Sequence, residues 1–154
     1  MVPKKNVILV KIFKMRKIVI LIAFLIVSCT QNIKNEDIQL INGYWEIEKV
    51  ESVKNEIKKY KINEIVDYFS INAEQNGFRK KLVIQLDGKF LANNMQESVS
   101  ISNINDEFFL NYKTDFATWK EKIVKINGES LILENEQGIK YFYKRYKTGN
   151  EEAK

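Results

Sequence analysis

The chain has 154 residues, 45% of them hydrophobic and 12% aromatic, which is room for one packed domain and too apolar for a disordered chain. Its net charge of +5 suggests a polyanion partner, but Lys4, Lys5, Lys11, Lys14, Arg16 and Lys17 stand without an acid in 1–28, and setting those six aside leaves 19 basic against 20 acidic groups; the later part lacks the basic footprint of a nucleic-acid binder. The absence of histidine removes Ser-His-Asp and Cys-His catalysis and imidazole zinc sites, and a single cysteine, Cys29, leaves no internal disulfide.

In chain order, the first element is the apolar run Ile18 to Val27 behind Arg16-Lys17. It is too short to span a bilayer, which takes about 20 apolar residues. A positive n-region, a short apolar core and the small residue Ser28 predict a secretory signal over 1–28, with Met15 as an alternative start. Residues 29–41 follow as a polar tether without periodicity, then a domain over 42–147 and a frayed tail over 148–154.

Period two dominates the domain. In "GFRKKLVIQL", Phe78, Leu82, Ile84 and Leu86 share one face and Arg79, Lys81 and Gln85 the other, which predicts a half-buried strand with the first set inward. Asp87-Gly88 supplies a hairpin turn to "KFLANN", and Asn105-Asp106 another between "SVSISNI" and "EFFLNY". "WKEKIVKI", "SLILEN" and "IKYFYKRY" give three more strands. The span 57–69 permits either two short strands or a short helix, because Ile57, Lys61, Ile65 and Phe69 recur every four residues. About eight strands with turn residues between them predict an all-β, up-and-down antiparallel barrel, with a β-sandwich as the alternative.

If the barrel closes with an even number of strands, the first strand starts where the last ends. Trp45 in "NGYWEIEKV" and Arg145 in "YFYKRY" then meet, and a guanidinium over an indole contributes about 0.5 to 2 kcal/mol while covering the barrel floor. The carboxylate pairs Glu46/Glu48 and Glu134/Glu136 each share a strand face, but lysines beside them make these solvated faces. No nucleophile motif, phosphate loop or metal-ligand spacing occurs, so the chain is expected to be non-enzymatic, with no cofactor and no metal.

Two resemblances add to this reading. Ile26-Val27-Ser28-Cys29 resembles the lipobox of bacterial lipoproteins, which implies cleavage between Ser28 and Cys29, lipidation of the Cys29 thiol and stable membrane anchoring by several acyl chains. Thr30, in place of an aspartate, resembles lipoproteins sorted to the outer membrane. Gly43-Tyr44-Trp45 with Arg145 resembles the lipocalin and calycin families, and the mature chain is similar to small lipocalin-like bacterial lipoproteins in its "DGKF" hairpin and its strand from Trp119 to Ile123. The resemblance implies Gly43, Trp45 and Arg145 as barrel-floor residues. A barrel of this size either encloses one small ligand or is filled by its own side chains. The candidate lining residues are Phe108, Phe109, Trp119, Tyr141 and Tyr143, for each of which core packing is the competing role. The expected function is a lipid-anchored envelope barrel holding a small apolar or amphipathic ligand; the alternative is a filled barrel acting as an accessory subunit beside an envelope protein partner.

Overall fold

The computed structural model describes residues 32–92 and 95–148; the signal segment, Cys29 and residues 149–154 lie outside the described residues. A 3₁₀ helix, Asn35–Ile41, precedes ten strands: β1 Gly43–Glu51, β2 Ile57–Lys59, β3 Ile65–Ile71, β4 Asn76–Ile84, β5 Phe90–Ala92, β6 Glu97–Ile104, β7 Glu107–Lys113, β8 Thr118–Ile126, β9 Ser130–Asn135 and β10 Lys140–Arg145. Eight of them (β1, β3, β4, β6, β7, β8, β9 and β10) pair antiparallel in chain order, and β10 returns to β1. The sheet closes as an up-and-down barrel of eight strands, and the sandwich alternative falls away. Closure removes the long edges that invite aggregation.

The two remaining strands are short additions. On one edge of β1, residues Gly43–Trp45 pair with β3 while Lys49–Glu51 pair with β2. On one edge of β4, Asn76–Arg79 pair with β6 while Leu82–Ile84 pair with β5. The barrel wall is therefore continuous near its floor and forks toward the other end. The span 57–69 forms β2 and the start of β3 rather than a helix, because Val66, Phe69 and Ile71 are buried on two sides of a strand. The Asn105-Asp106 hairpin forms with both residues at positive φ, as the turn chemistry requires.

The expected tether is corrected in its second half. A 3₁₀ helix eclipses residues three apart, so Ile38 and Ile41 fall on one edge, and both are fully buried. Asp37 accepts a hydrogen bond from the Lys34 amide at 2.8 Å, and Asn42 bridges to the Ile71 backbone. The segment 35–41 is polar on its outer side apart from the exposed Leu40, and its buried pair Ile38 and Ile41 repeats at three residues, a period that alternation hides. It packs with Trp45, Phe69, Leu110, Ile123, Leu131 and Leu133 into one core. Among the described residues the buried core runs from Ile38 to Tyr143, with Ile33 packed against it, so the span from Asn32 onward has a hydrophobic core of its own.

The strand β4 corrects a second expectation. Arg79 pairs across to Phe69 and is buried on the inner face, while Phe78 and Leu82 face outward. The outer face is covered by its own aromatic layer: Tyr44 stacks on Phe90 at 4.7 Å and meets Tyr68 at 4.8 Å, and Tyr68 meets Phe78 at 6.1 Å. With apolar cover on both sides, alternation alone does not say which face is interior.

Gly77 pairs with Ile71 where the β3 backbone runs close against β4. A Cβ there falls 1.8 Å from the Ser70 carbonyl oxygen, so Gly77→Ala must part the two strands and is expected to cost about 3 kcal/mol. Gly128→Ala, with nothing within 4 Å, is expected to change stability by under about 1 kcal/mol. Urea denaturation of both variants checks the pair; equal costs would contradict the packing described.

Candidate functional site

The barrel has a locked end and a forked end. At the locked end the β1–β10 register sets Trp45 opposite Arg145, and the guanidinium lies 3.9 Å from the indole ring centre. Arg145 donates to the carbonyls of Asn42 at 2.5 Å, Leu40 at 2.5 Å and Gly128 at 3.0 Å, and Trp45 Nε1–H donates to Ile41 at 2.7 Å. The orphan carbonyls at the end of the 3₁₀ helix are thereby satisfied by the two side chains beneath it. Gly43 has φ +111°, and a Cβ there would sit 2.8 Å from Arg145 Nη1. Only glycine combines that backbone with that approach.

These features, the eight-strand up-and-down closure, the capping helix and the Trp45–Arg145 pair, decide the architecture. The fold is a closed up-and-down barrel of eight antiparallel strands. No family model matches the chain, and no curated protein matches it. Among solved structures it is similar to a lipocalin-like protein from Bacteroides uniformis ATCC 8492, at 14% identity and a TM-score of 0.47, over 70% of this chain and 99% of that one. It is also similar to an uncharacterized protein from Bacteroides eggerthii DSM 20697, at 13% identity and a TM-score of 0.46, over 68% of this chain and 98% of that one.

Above the core of this eight-stranded barrel lies a layer of buried charge. Arg79 forms an ion pair through Nε with Glu97, its Nη1 is 3.5 Å from the Tyr112 hydroxyl and 3.7 Å from Glu121 Oε2, and its guanidinium lies 4.4 Å from the Tyr112 ring centre. Burial works against the charge on Arg79, but Tyr112, Glu97 and Asp67 outweigh it and hold the guanidinium above its usual range. Burial pushes the Glu121 carboxyl up, against the pull of Arg79 and Tyr112, and pushes the phenols of Tyr112 and Tyr143 well up. Among the described residues Glu121 Oε2 is a buried oxygen with no hydrogen-bond partner, the costliest position in the layer. Asp67, also buried, holds Lys81 Nζ at 2.8 Å.

A cleft of about 670 Å³ opens beside this layer, in the fork where β4 leaves β6 for β5. Arg79 and Glu97 lie in its wall with Lys81, Lys113, Met95 and Phe116. The five expected lining residues are not in that wall. Phe108 and Tyr143 are buried in the core. Trp119 and Tyr141 pack against the core from above, Trp119 stacked on Tyr112 at 5.0 Å and Tyr141 accepting a hydrogen bond from Asn135 at 3.3 Å. Phe109 belongs to the outer face: Phe108, Leu110 and Tyr112 are the inward positions of β7, and the Lys120 ammonium lies 5.4 Å from the Phe109 ring centre. The charged layer was missed at the sequence level, although Glu121 alternates with Trp119 and Ile123 and Asp67 with Phe69 and Ile71. A carboxylate at an inward position between large apolar residues is the signal that could have found it.

Glu121 makes stability depend on pH with a defined sign. A carboxyl whose folded pKa lies above the unfolded value binds its proton more tightly when folded, so its contribution is full below about pH 4.5 and is lost as pH rises through the folded pKa. Wild type is therefore expected to gain stability relative to Glu121→Gln as pH falls toward 4.5. Denaturation across pH 4 to 8 measures the difference; one that stays constant contradicts a raised Glu121.

Proposed function

We propose that the protein is a non-enzymatic, lipid-anchored lipoprotein of the bacterial envelope, acylated on Cys29, whose barrel holds a small amphipathic ligand in the cleft beside Arg79. The observation that carries the ligand reading is the division of the barrel. Its lower half is filled by Trp45, Phe69, Leu110, Leu131 and Leu133, each at most 1% exposed, while the forked end offers a cleft within the size range of small-ligand sites, about 300 to 1,000 Å³. A cleft with a buried arginine at its base and aromatic and thioether side chains in its wall suits a ligand polar at one end and apolar at the other. An apolar ligand enclosed in the lower barrel is not supported, because side chains occupy that space.

The filled core supports a second reading, in which the barrel is an accessory subunit of an envelope complex and meets its partner through an outer surface. The aromatic layer of Tyr44, Phe90 and Tyr146 on that surface, with Phe90 5.9 Å from Tyr146, is the feature that favours it.

The anchoring half rests on Ile26-Val27-Ser28-Cys29 and the apolar run before it. Mass spectrometry of the chain extracted from bacterial membranes is expected to find Cys29 as the first residue, carrying a diacylglyceryl group and an amide-linked acyl chain, and Cys29→Ser is expected to retain its signal. An intact signal with an unmodified Cys29 in the wild-type chain would overturn it.

A further inference from the structure

We propose that the cleft takes a single-chain anionic amphiphile, head inward against Lys81 and Lys113 and chain outward along β3, β4 and β5. The proposal rests on the cleft being the ligand site and adds the charge and the direction of what enters.

The head-group charge follows from which partner of each ion pair faces the opening. Asp67 is buried to 7% exposure of its side chain, whereas the Lys81 that it holds is 54% exposed and belongs to the cleft wall. Glu121 lies behind Arg79 and outside that wall. Lys113, on the opposite side, is exposed and forms no ion pair among the described residues. The wall thus presents Arg79, Lys81 and Lys113 against Glu97 and Asp115, an excess of one positive charge, with Asp67 and Glu121 set behind it. Asp115, on the turn between β7 and β8, is the exposed acid in the wall and stands against the two lysines.

The direction of the chain follows from strand register. Val83 pairs with Ile65 on one side and with Leu91 on the other, and paired residues share a face of the sheet. Ile65 and Val83 lie two residues beyond Asp67 and Lys81 on their strands, so this row continues the inner face above the lysine. All three side chains are exposed, at 48%, 41% and 57%. An exposed apolar row on the concave side of a sheet, immediately above a presented cation, is the surface an acyl or alkyl chain covers. Phe116, almost wholly exposed on a turn fastened by Thr114, stands in the cleft wall as a further apolar contact.

Calorimetric titration of the chain from Asn32 onward with dodecyl phosphate, dodecyl maltoside and dodecyltrimethylammonium, each below its micelle concentration, tests the assignment. Dodecyl phosphate is expected to bind about tenfold tighter than the other two, and Lys81→Gln and Lys113→Gln are each expected to weaken it by about three- to tenfold while leaving the maltoside unchanged. Leu91→Ser is expected to weaken all three, and inorganic phosphate to bind far more weakly than its dodecyl ester. Lys81→Gln strands the buried Asp67; if that variant fails to fold, Lys113→Gln, which breaks no ion pair, carries the test. Equal binding of the three amphiphiles, still sensitive to Leu91→Ser, would overturn the head-group assignment and leave the cleft as the ligand site. No binding by any of them would overturn both readings.

Discussion

The contact on which the barrel depends is the Arg145 guanidinium lying over Trp45. It joins the last strand to the first, and its three carbonyl acceptors come from the end of the 3₁₀ helix, the residue before β1 and the β8–β9 turn. Charge-assisted bonds to otherwise unsatisfied carbonyls are among the stronger interactions available at a protein surface. Two of the three act here between residues more than 100 positions apart, so closing the floor is a non-local event. The helix then seats Ile38 and Ile41 in the core, and the lower barrel becomes solid.

A solid floor moves any binding chemistry to the other end. There the sheet cannot stay continuous, because β1 and β4 each change partner partway along. The fork leaves the charged layer open on one side, at Glu97 and Lys81, while Arg79, Asp67 and Glu121 stay buried. Arg79, Asp67, Glu97 and Glu121 are sustainable together because each is paired or close to an opposite charge, and replacing such a network by apolar side chains is often neutral or stabilising. Its presence is therefore poorly explained by stability alone. The Glu121 Oε2 atom, which faces Arg79 at 3.7 Å but accepts no hydrogen bond, sharpens the point, since a layer built only to hold the barrel together would satisfy it.

Much of the architecture was legible in the sequence. Hairpin turns at Asp87-Gly88 and Asn105-Asp106, strand spacing, closure and the meeting of Trp45 with Arg145 all follow from local turn chemistry and from the geometry of an even-stranded barrel. What escaped has specific physical causes. Ile38 and Ile41 repeat at three residues, within a segment whose polarity resembles a tether. The inner face of β4 carries Arg79 and Lys81 while Phe78 and Leu82 face an outer aromatic layer, so the usual rule that the apolar face is interior inverts there. The cleft comes from changes of strand partner, which depend on pairing between distant segments and leave no local mark. Phe109 was misplaced for a simpler reason: Phe108-Phe109 puts equal side chains on both faces, and only the register of β7 separates them.

Ligand that enters the fork leaves the lower barrel undisturbed, and backbone and methyl chemical-shift mapping during titration with dodecyl phosphate reads both ends at once. Shifts are expected to centre on Lys81, Val83, Leu91, Lys113 and Phe116, with Trp45, Leu131 and Ile38 unmoved. Shifts centred on Trp45, Leu131 and Ile38, with the fork residues silent, would contradict it.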